Sequence, residues 1–181
     1  MKSWGLIAES WSPVFAQIDL KNAVIKIKDG STPAEELEVK IGEGNLTYTE
    51  AKTIEYTLDR GTIDEVREGD QVPMDVRMDF VWEYLKGPSG SGTTPTVEDA
   101  LKQRGPAAAW VSTDADTCRP YAVDLEILYE PVPASCGDRE TITLPDFRYE
   151  SLDHDLRAGT VACAGRCNAV EAAVVRDSQS D

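Results

Sequence analysis

Hydrophobic and polar residues alternate along much of the chain, and the alternation is strongest between residues 74 and 84. A two-residue period places successive side chains on opposite faces of a β-strand. One side of this segment is mostly charged, and the other is apolar. The apolar side consists of Met74, Val76, Met78, Phe80, Trp82 and Tyr84. The segment is therefore predicted to be an antiparallel strand with one buried face and one polar face.

Residues 53–59 alternate in the same way, with Ile54, Tyr56 and Leu58 on the apolar side. Residues 60–73 separate the two segments and are rich in Gly, Asp and Glu. We expect the two strands to form a long hairpin over residues 53–85, joined by a long charged connection rather than by a tight turn. Both apolar sides are expected to pack against the rest of the domain.

Shorter alternating segments complete a mostly β pattern. They predict strands at residues 22–28, 36–41, 45–49, 123–130, 141–144 and 160–167. Residues 168–176 fit either a strand or a helix, since Asn168 and Glu171 could cap a helix. One helix is predicted over residues 96–104, with Thr96 as its N-cap and Gly105-Pro106 as its end. We expect one domain over residues 1–181, a β-sandwich or barrel with a long hairpin, one short flanking α-helix and an N-terminal arm at residues 1–20.

Composition narrows the range of functions. The 181 residues include 33 Asp and Glu against 18 Lys and Arg, which gives a net charge of −15. Such a chain is poorly suited to gripping nucleic acid, because phosphate binding requires positive surface. The single histidine, His154, disfavours Ser-His-Asp catalysis and multi-histidine metal sites. We expect a protein that is not an enzyme, with no cofactor and no membrane span.

The four cysteines are the other candidate chemistry: Cys118, Cys136, Cys163 and Cys167. The last two have a zinc-knuckle-like spacing, but on one face of a strand their Cα atoms would lie roughly 13 Å apart. Buried, unlinked thiols are therefore favoured, although Cys136 remains a possible cross-strand partner. Neighbouring residues of Asp153-His154-Asp155 point to different sides, so no metal is expected there. A metal-dependent enzyme using Asp153, His154 and the cysteines is a distant alternative.

Four segments carry a family resemblance. They are residues 44–86, residues 105–131, the ETITLPDF run at 140–147, and LRAGTVACAGRCNA at 156–169. In these segments the chain resembles the tail tube (major tail) proteins of tailed bacteriophages. The resemblance implies a β-sandwich whose subunits form hexameric rings. The rings stack into a hollow tube, and strands of each subunit close a barrel around the DNA channel.

The same resemblance implies a location and partners. The protein would belong to the virion tail and be assembled in the bacterial host cytoplasm. Its partners would be further copies of itself, the tape measure, the tail terminator, and baseplate or tail-tip proteins. Double-stranded DNA would pass through without specific binding, since an acidic wall repels phosphate.

With this resemblance, the polar side of the predicted hairpin becomes a candidate channel lining. The channel candidates are Glu55, Thr57, Asp59, Asp75, Arg77, Asp79 and Glu83. The plain alternative is a solvated outer sheet face. The connection 60–73 is a candidate contact with a neighbouring subunit or ring, because it keeps three apolar residues among charges. The contact candidates are Ile63, Asp64, Glu65, Val66, Arg67, Glu68 and Val72. The plain alternative for this connection is a flexible, solvated loop.

The alternative function is another β-rich virion protein, namely a tail terminator, a capsid decoration protein or an immunoglobulin-like module. Such a protein shares the fold class and the acidity but would not polymerise into long tubes.

Overall fold

The computed structural model describes residues 22–42, 45–82, 94–130 and 139–177. The described elements are β1 (Ala23–Lys28), β2 (Glu36–Val39), β3 (Leu46–Thr49), β4 (Lys52–Asp59), β5 (Thr62–Gln71), β6 (Met74–Val81), α1 (Val97–Lys102), β7 (Val123–Tyr129), β8 (Arg139–Asp155), β9 (Thr160–Cys167) and β10 (Ala173–Asp177). The described part of the chain is mostly β, with one short helix, as the alternating pattern predicts. The predicted N-terminal arm at residues 1–20 lies outside the described residues.

Eight strands form one antiparallel sheet in the order β2-β1-β7-β8-β9-β6-β3, with β10 also paired to β8. The 17-residue β8 connects the two halves of this sheet. Its first part pairs with β7 and β10, and its second part pairs with β9. The N–H of Val81, at the end of β6, donates to the carbonyl of Lys40, just after β2 (2.8 Å). Because β2 is at one end of the order and β6 is next to the other end, this bond requires the sheet to curl around its core.

The core confirms the prediction for residues 74–80. Met74, Val76, Met78 and Phe80 are all 2% exposed or less, while the intervening charged side chains are exposed. β6 pairs with β3 on one side and β9 on the other, so its apolar face has neighbours in both directions. At Gly165, on β9, a Cβ atom would lie 2.2 Å from the carbonyl oxygen of Arg148. Glycine therefore permits the close approach of β8 and β9 beside a β-bulge.

The predicted helix is confirmed with slightly shorter bounds. Thr96 caps it, since its hydroxyl accepts from the N–H of Asp99 (3.1 Å) and the Asp99 carboxylate accepts from the N–H of Thr96 (3.3 Å). Such a reciprocal cap stabilises a helix by about 1 kcal/mol. Val97, Ala100 and Leu101 are buried and hold the helix against the sheet core. The chain leaves the helix at Gln103, whose backbone is left-handed.

Asp29, at the end of β1, ties the sheet to residues 111–113. Its carboxylate accepts hydrogen bonds from the N–H of Ser31 (3.1 Å), of Glu35 (2.8 Å) and of Val111 (3.0 Å), and from the Ser31 hydroxyl (2.6 Å). The residue is only 5% exposed. Burial raises the pKa of its carboxyl, but the hydrogen bonds outweigh burial and hold that pKa below its ordinary value.

The predicted hairpin is wrong in its pairing. β4 pairs with β5, whereas the strand at residues 74–81 belongs to the main sheet. Arg60 and Gly61 form a two-residue turn with φ values of 49° and 84°, both in the left-handed region that suits a tight hairpin turn. The expected connection at residues 60–73 is therefore mostly a strand. Two register shifts interrupt its alternation, which is why its sequence does not look like a strand.

Residues 168–176, whose sequence fits either a strand or a helix, include most of the strand β10, which pairs with β8.

Candidate interaction surface on the projecting hairpin

The hairpin of β4 and β5 has one apolar face and one polar face. The register pairs Tyr56 with Val66 and Leu58 with Ile63, and paired residues lie on the same face. Ile54 belongs to that face, since it is two residues from Tyr56. We call these five side chains the apolar face of the hairpin: Ile54, Tyr56, Leu58, Ile63 and Val66.

This apolar face is uncovered in the single chain, contrary to the prediction that Ile54, Tyr56 and Leu58 pack against the domain. Ile54 is 46% exposed, Tyr56 59%, Leu58 61%, Ile63 60% and Val66 54%. β4 and β5 form a two-stranded sheet of their own, separate from the main sheet. Two-stranded hairpins are at best marginally stable alone in water, and contiguous exposed apolar side chains mark interaction sites. The hairpin therefore has the form of an arm with a docking face.

The opposite face of the hairpin is polar and holds part of the candidate channel lining. Glu55 and Thr57 pair with Arg67 and Glu65, and Glu55 accepts a hydrogen bond from Arg67 (2.7 Å). Both charged side chains are about half exposed or more, so this ion pair contributes less than about 1 kcal/mol. Asp59 lies beside the turn.

The structure places the channel-lining candidates on two different surfaces. Glu55, Thr57 and Asp59 lie on the hairpin, whereas Asp75, Arg77 and Asp79 lie on the outer face of the main sheet. Asp75 is paired there with Arg166 (3.0 Å). Glu83 and Tyr84 lie outside the described residues, and Trp82 is 40% exposed.

The candidate contact residues lie on both faces of the hairpin and at its base. Ile63 and Val66 belong to the apolar face, and Glu65 and Arg67 to the polar face. Asp64 is the extra residue of a bulge. Glu68 lies opposite Ile54 near the base of the hairpin and forms an ion pair with Lys52 (3.1 Å). Val72 is half-buried beside Pro73.

A cleft lies where the hairpin meets the main sheet, and the sequence pattern did not indicate it. Its volume is about 700 Å³. We call it the basal cleft; its lining is Glu50, Ala51, Lys52, Glu68, Gln71, Ala169, Val170 and Glu171. Its apolar lining residues are partly buried and we call them its floor; its three carboxylates, against one lysine, are exposed and we call them its rim. Glu50 is held by the N–H of Ala172 (2.8 Å), which fixes the loop after β9 beside the hairpin.

The residues on which the metal-enzyme alternative depends, among them Cys163, Cys167 and His154, have structural surroundings. Cys163 and Cys167 are buried in the core, and burial raises the pKa of each thiol to about 12. His154 lies in edge contact with Trp82 (ring centroids 5.3 Å apart) and 3.6 Å from a carboxylate oxygen of Glu98. Among the described residues no group of His, Cys, Asp or Glu side chains is suited to hold a metal ion. Cys118 is exposed and unlinked, and Cys136 lies outside the described residues.

Comparison with known proteins places the fold. No protein-family model and no curated protein matches the sequence. Among solved structures, the fold is similar to the PVC sheath/tube terminator of an extracellular contractile injection system, seen by cryo-electron microscopy in its extended state. The TM-score is 0.50 and the sequence identity 8%, and the match covers 90% of this chain and 99% of that chain. The likeness therefore shows that the two chains have a similar overall fold.

No helix in the described part of the chain is both long enough and apolar enough to span a bilayer.

Proposed function

We propose that this chain is a structural subunit of a tail-like particle, that copies of it assemble into a ring, and that the ring closes the end of a tube. The observation that carries the proposal is the projecting hairpin, whose five apolar side chains are about half exposed or more. The fold likeness to a sheath/tube terminator, over nearly the whole of both chains, supports the position at the end of a tube.

The free energy available from the hairpin contact explains why a ring is favoured over a dimer. Covering five half-exposed apolar side chains would contribute on the order of 5 kcal/mol. Association costs about 4–15 kcal/mol in lost translational and rotational freedom, so a single contact of this kind is weak. In a ring each copy both gives and receives a hairpin, and the closing contact adds its free energy without another association step. Rings are therefore expected to form steeply with concentration.

The proposed role is structural and uses neither catalysis nor a cofactor. In support, the thiols that a metal enzyme would need, Cys163 and Cys167, are core side chains packed between β6 and β8. His154 is engaged with Trp82 and Glu98 rather than directed toward a cleft with the cysteines.

A tail tube subunit is the second candidate, favoured by the sequence resemblance of residues 44–86 to tail tube proteins. In that case the rings would be hexameric and would stack, and the partners would be those of a phage tail. The channel would be acidic and would let DNA pass in the virion. The hairpin supplies the subunit contact in both candidates, and the difference lies in whether one ring binds the next.

Electron microscopy of purified protein, combined with sedimentation velocity over a wide concentration range, separates the candidates. A terminator is expected to give rings of one fixed mass that do not lengthen as concentration rises. Tubes whose length grows with concentration would favour the tube subunit instead. A sedimentation coefficient that stays at the monomer value throughout would contradict both.

A further inference from the structure

We propose that the basal cleft of one copy receives the tip of the hairpin of the next copy. This inference rests on the proposed function and names the surface that receives the hairpin. The tip consists of Leu58 and Ile63, together with the turn at Arg60-Gly61. The tip carries exposed apolar side chains and a cation, and the cleft is lined by apolar residues and carboxylates, so the two surfaces are complementary.

The tip is apolar and carries a cation. Leu58 and Ile63 are 61% and 60% exposed, and they lie side by side across the two strands. Arg60 follows directly in the turn, and among the described residues it takes part in no ion pair. An isolated cation beside two exposed apolar side chains fits a pocket with an apolar floor and an acidic rim.

The basal cleft is such a pocket. Ala51, Ala169 and Val170 form an apolar part of its lining, and each is only partly buried. Glu171 stands at its rim, exposed, and within the described residues it has no ion-pair partner. Glu68 is already paired with Lys52. Glu171 is therefore the carboxylate that we assign to Arg60 of the incoming copy.

The tip cannot fill the cleft of its own chain. The cleft is at the base of the hairpin, and β4 is eight residues long, so the tip projects about 27 Å beyond it. Each chain carries both the tip and the basal cleft, and the two surfaces are different. A contact between unlike surfaces passes head to tail from copy to copy and generates a ring when the rotation closes. A second copy of this chain is therefore the occupant that matches the cleft.

Charge exchange tests the pairing of Arg60 with Glu171. Arg60→Glu and Glu171→Arg are each expected to raise the protein concentration needed for assembly at least tenfold, because each places like charges together. The double variant is expected to recover most of the loss. Arg157→Glu, in the exposed turn after β8, is the matched control and should assemble like the parent. Two single variants that assemble normally, or a double variant no better than the singles, would overturn this pairing.

Disulfide trapping tests the contact directly. Leu58→Cys and Val170→Cys are introduced together in a chain with Cys118→Ser and Cys136→Ser. Within one chain the two sites are too far apart for a disulfide, whose Cα atoms must lie within about 7 Å. Mild oxidation is expected to give covalent dimers and higher ladders that a reductant removes. The control pairs Val170→Cys with Leu156→Cys, an exposed residue in another turn, and should give none.

The outcomes separate this inference from the proposed function. Ladders that form with Leu58→Cys and Val170→Cys, but not with the control pair, support the cleft as the receiving surface. Rings that sediment normally but give no ladder, or that link equally well through Leu156→Cys, would overturn the cleft and leave the ring intact. Protein that stays monomeric at every concentration and gives no ladder would overturn both.

Discussion

β4 and β6 have nearly the same pattern but opposite environments. In β6 alternate residues are buried, whereas in β4 every residue is exposed, although Ile54, Tyr56 and Leu58 alternate with polar residues as regularly as Met74, Val76 and Met78 do. β6 has a hydrogen-bonded strand on each side and a core beneath it, whereas among the described strands β4 pairs only with β5. The comparison shows that alternation predicts a strand with an apolar face, but does not indicate whether the same chain or another one covers that face.

The largest expected effect is in β6. Phe80→Ala removes a side chain that is 2% exposed and should lower the free energy of unfolding by about 3–5 kcal/mol. Leu58→Ala, in β4, should change the same quantity by no more than about 0.5 kcal/mol, since the side chain is already exposed. Chemical denaturation of both variants at a concentration where the protein is monomeric measures the difference. Equal losses would mean that the hairpin packs against its own domain.

A smaller effect is expected at Asp29. Asp29→Asn keeps the shape but loses charge-assisted acceptors for buried N–H groups, at a cost of about 1–3 kcal/mol near neutral pH. Because the folded pKa lies below its ordinary value of 3.8, the stabilisation is present above that value and is lost as pH falls through the folded pKa. The variant should therefore lose less stability than the parent on acidification below about pH 4. Parallel acid limbs in the two stability curves would contradict this account of Asp29.

The smallest effect on stability is expected from charge changes on the two polar faces. Thr57→Lys with Asp59→Lys alters the hairpin, and Asp75→Lys with Asp79→Lys alters the main sheet. Each pair should change the free energy of unfolding by no more than about 0.5 kcal/mol. If the hairpin lines the channel, its lysine pair should lower genome delivery per particle, because lysines would retain passing phosphates. A larger loss from the main-sheet pair would place the channel on that face.

The sequence predicted what depends on local chemistry. Thr96 indicated the helix cap, and the alternation at residues 74–80 indicated the buried face of β6. The environment of Cys163 and Cys167 followed from the same reasoning, since alternate positions of a strand share a face.

The sequence did not predict what depends on irregular pairing. One bulge, at Asp64, puts Val66 three residues after Ile63, and a second register shift follows after Glu68, so β5 has no regular alternation and was expected to be a connection. The strand expected at residues 141–144 is only part of β8, which continues through Pro145 and Asp146, because a register shift there removes the need for a regular ladder bond. The basal cleft brings residues of the hairpin together with residues 169–171, which lie about 100 positions further along the chain, and no local pattern could indicate it.

The central claim is that the apolar face of the hairpin joins one copy to the next, and sedimentation velocity of Ile63→Ser with Val66→Ser tests it most directly. The matched control is Val111→Ser with Leu156→Ser, which removes two apolar side chains elsewhere that are also half exposed or more (50% and 75%, against 60% and 54%). We expect the hairpin variant to keep the parent's melting temperature as a monomer and to remain monomeric at concentrations where the parent and the control form rings. Rings of the hairpin variant at the parent's concentration would contradict the account.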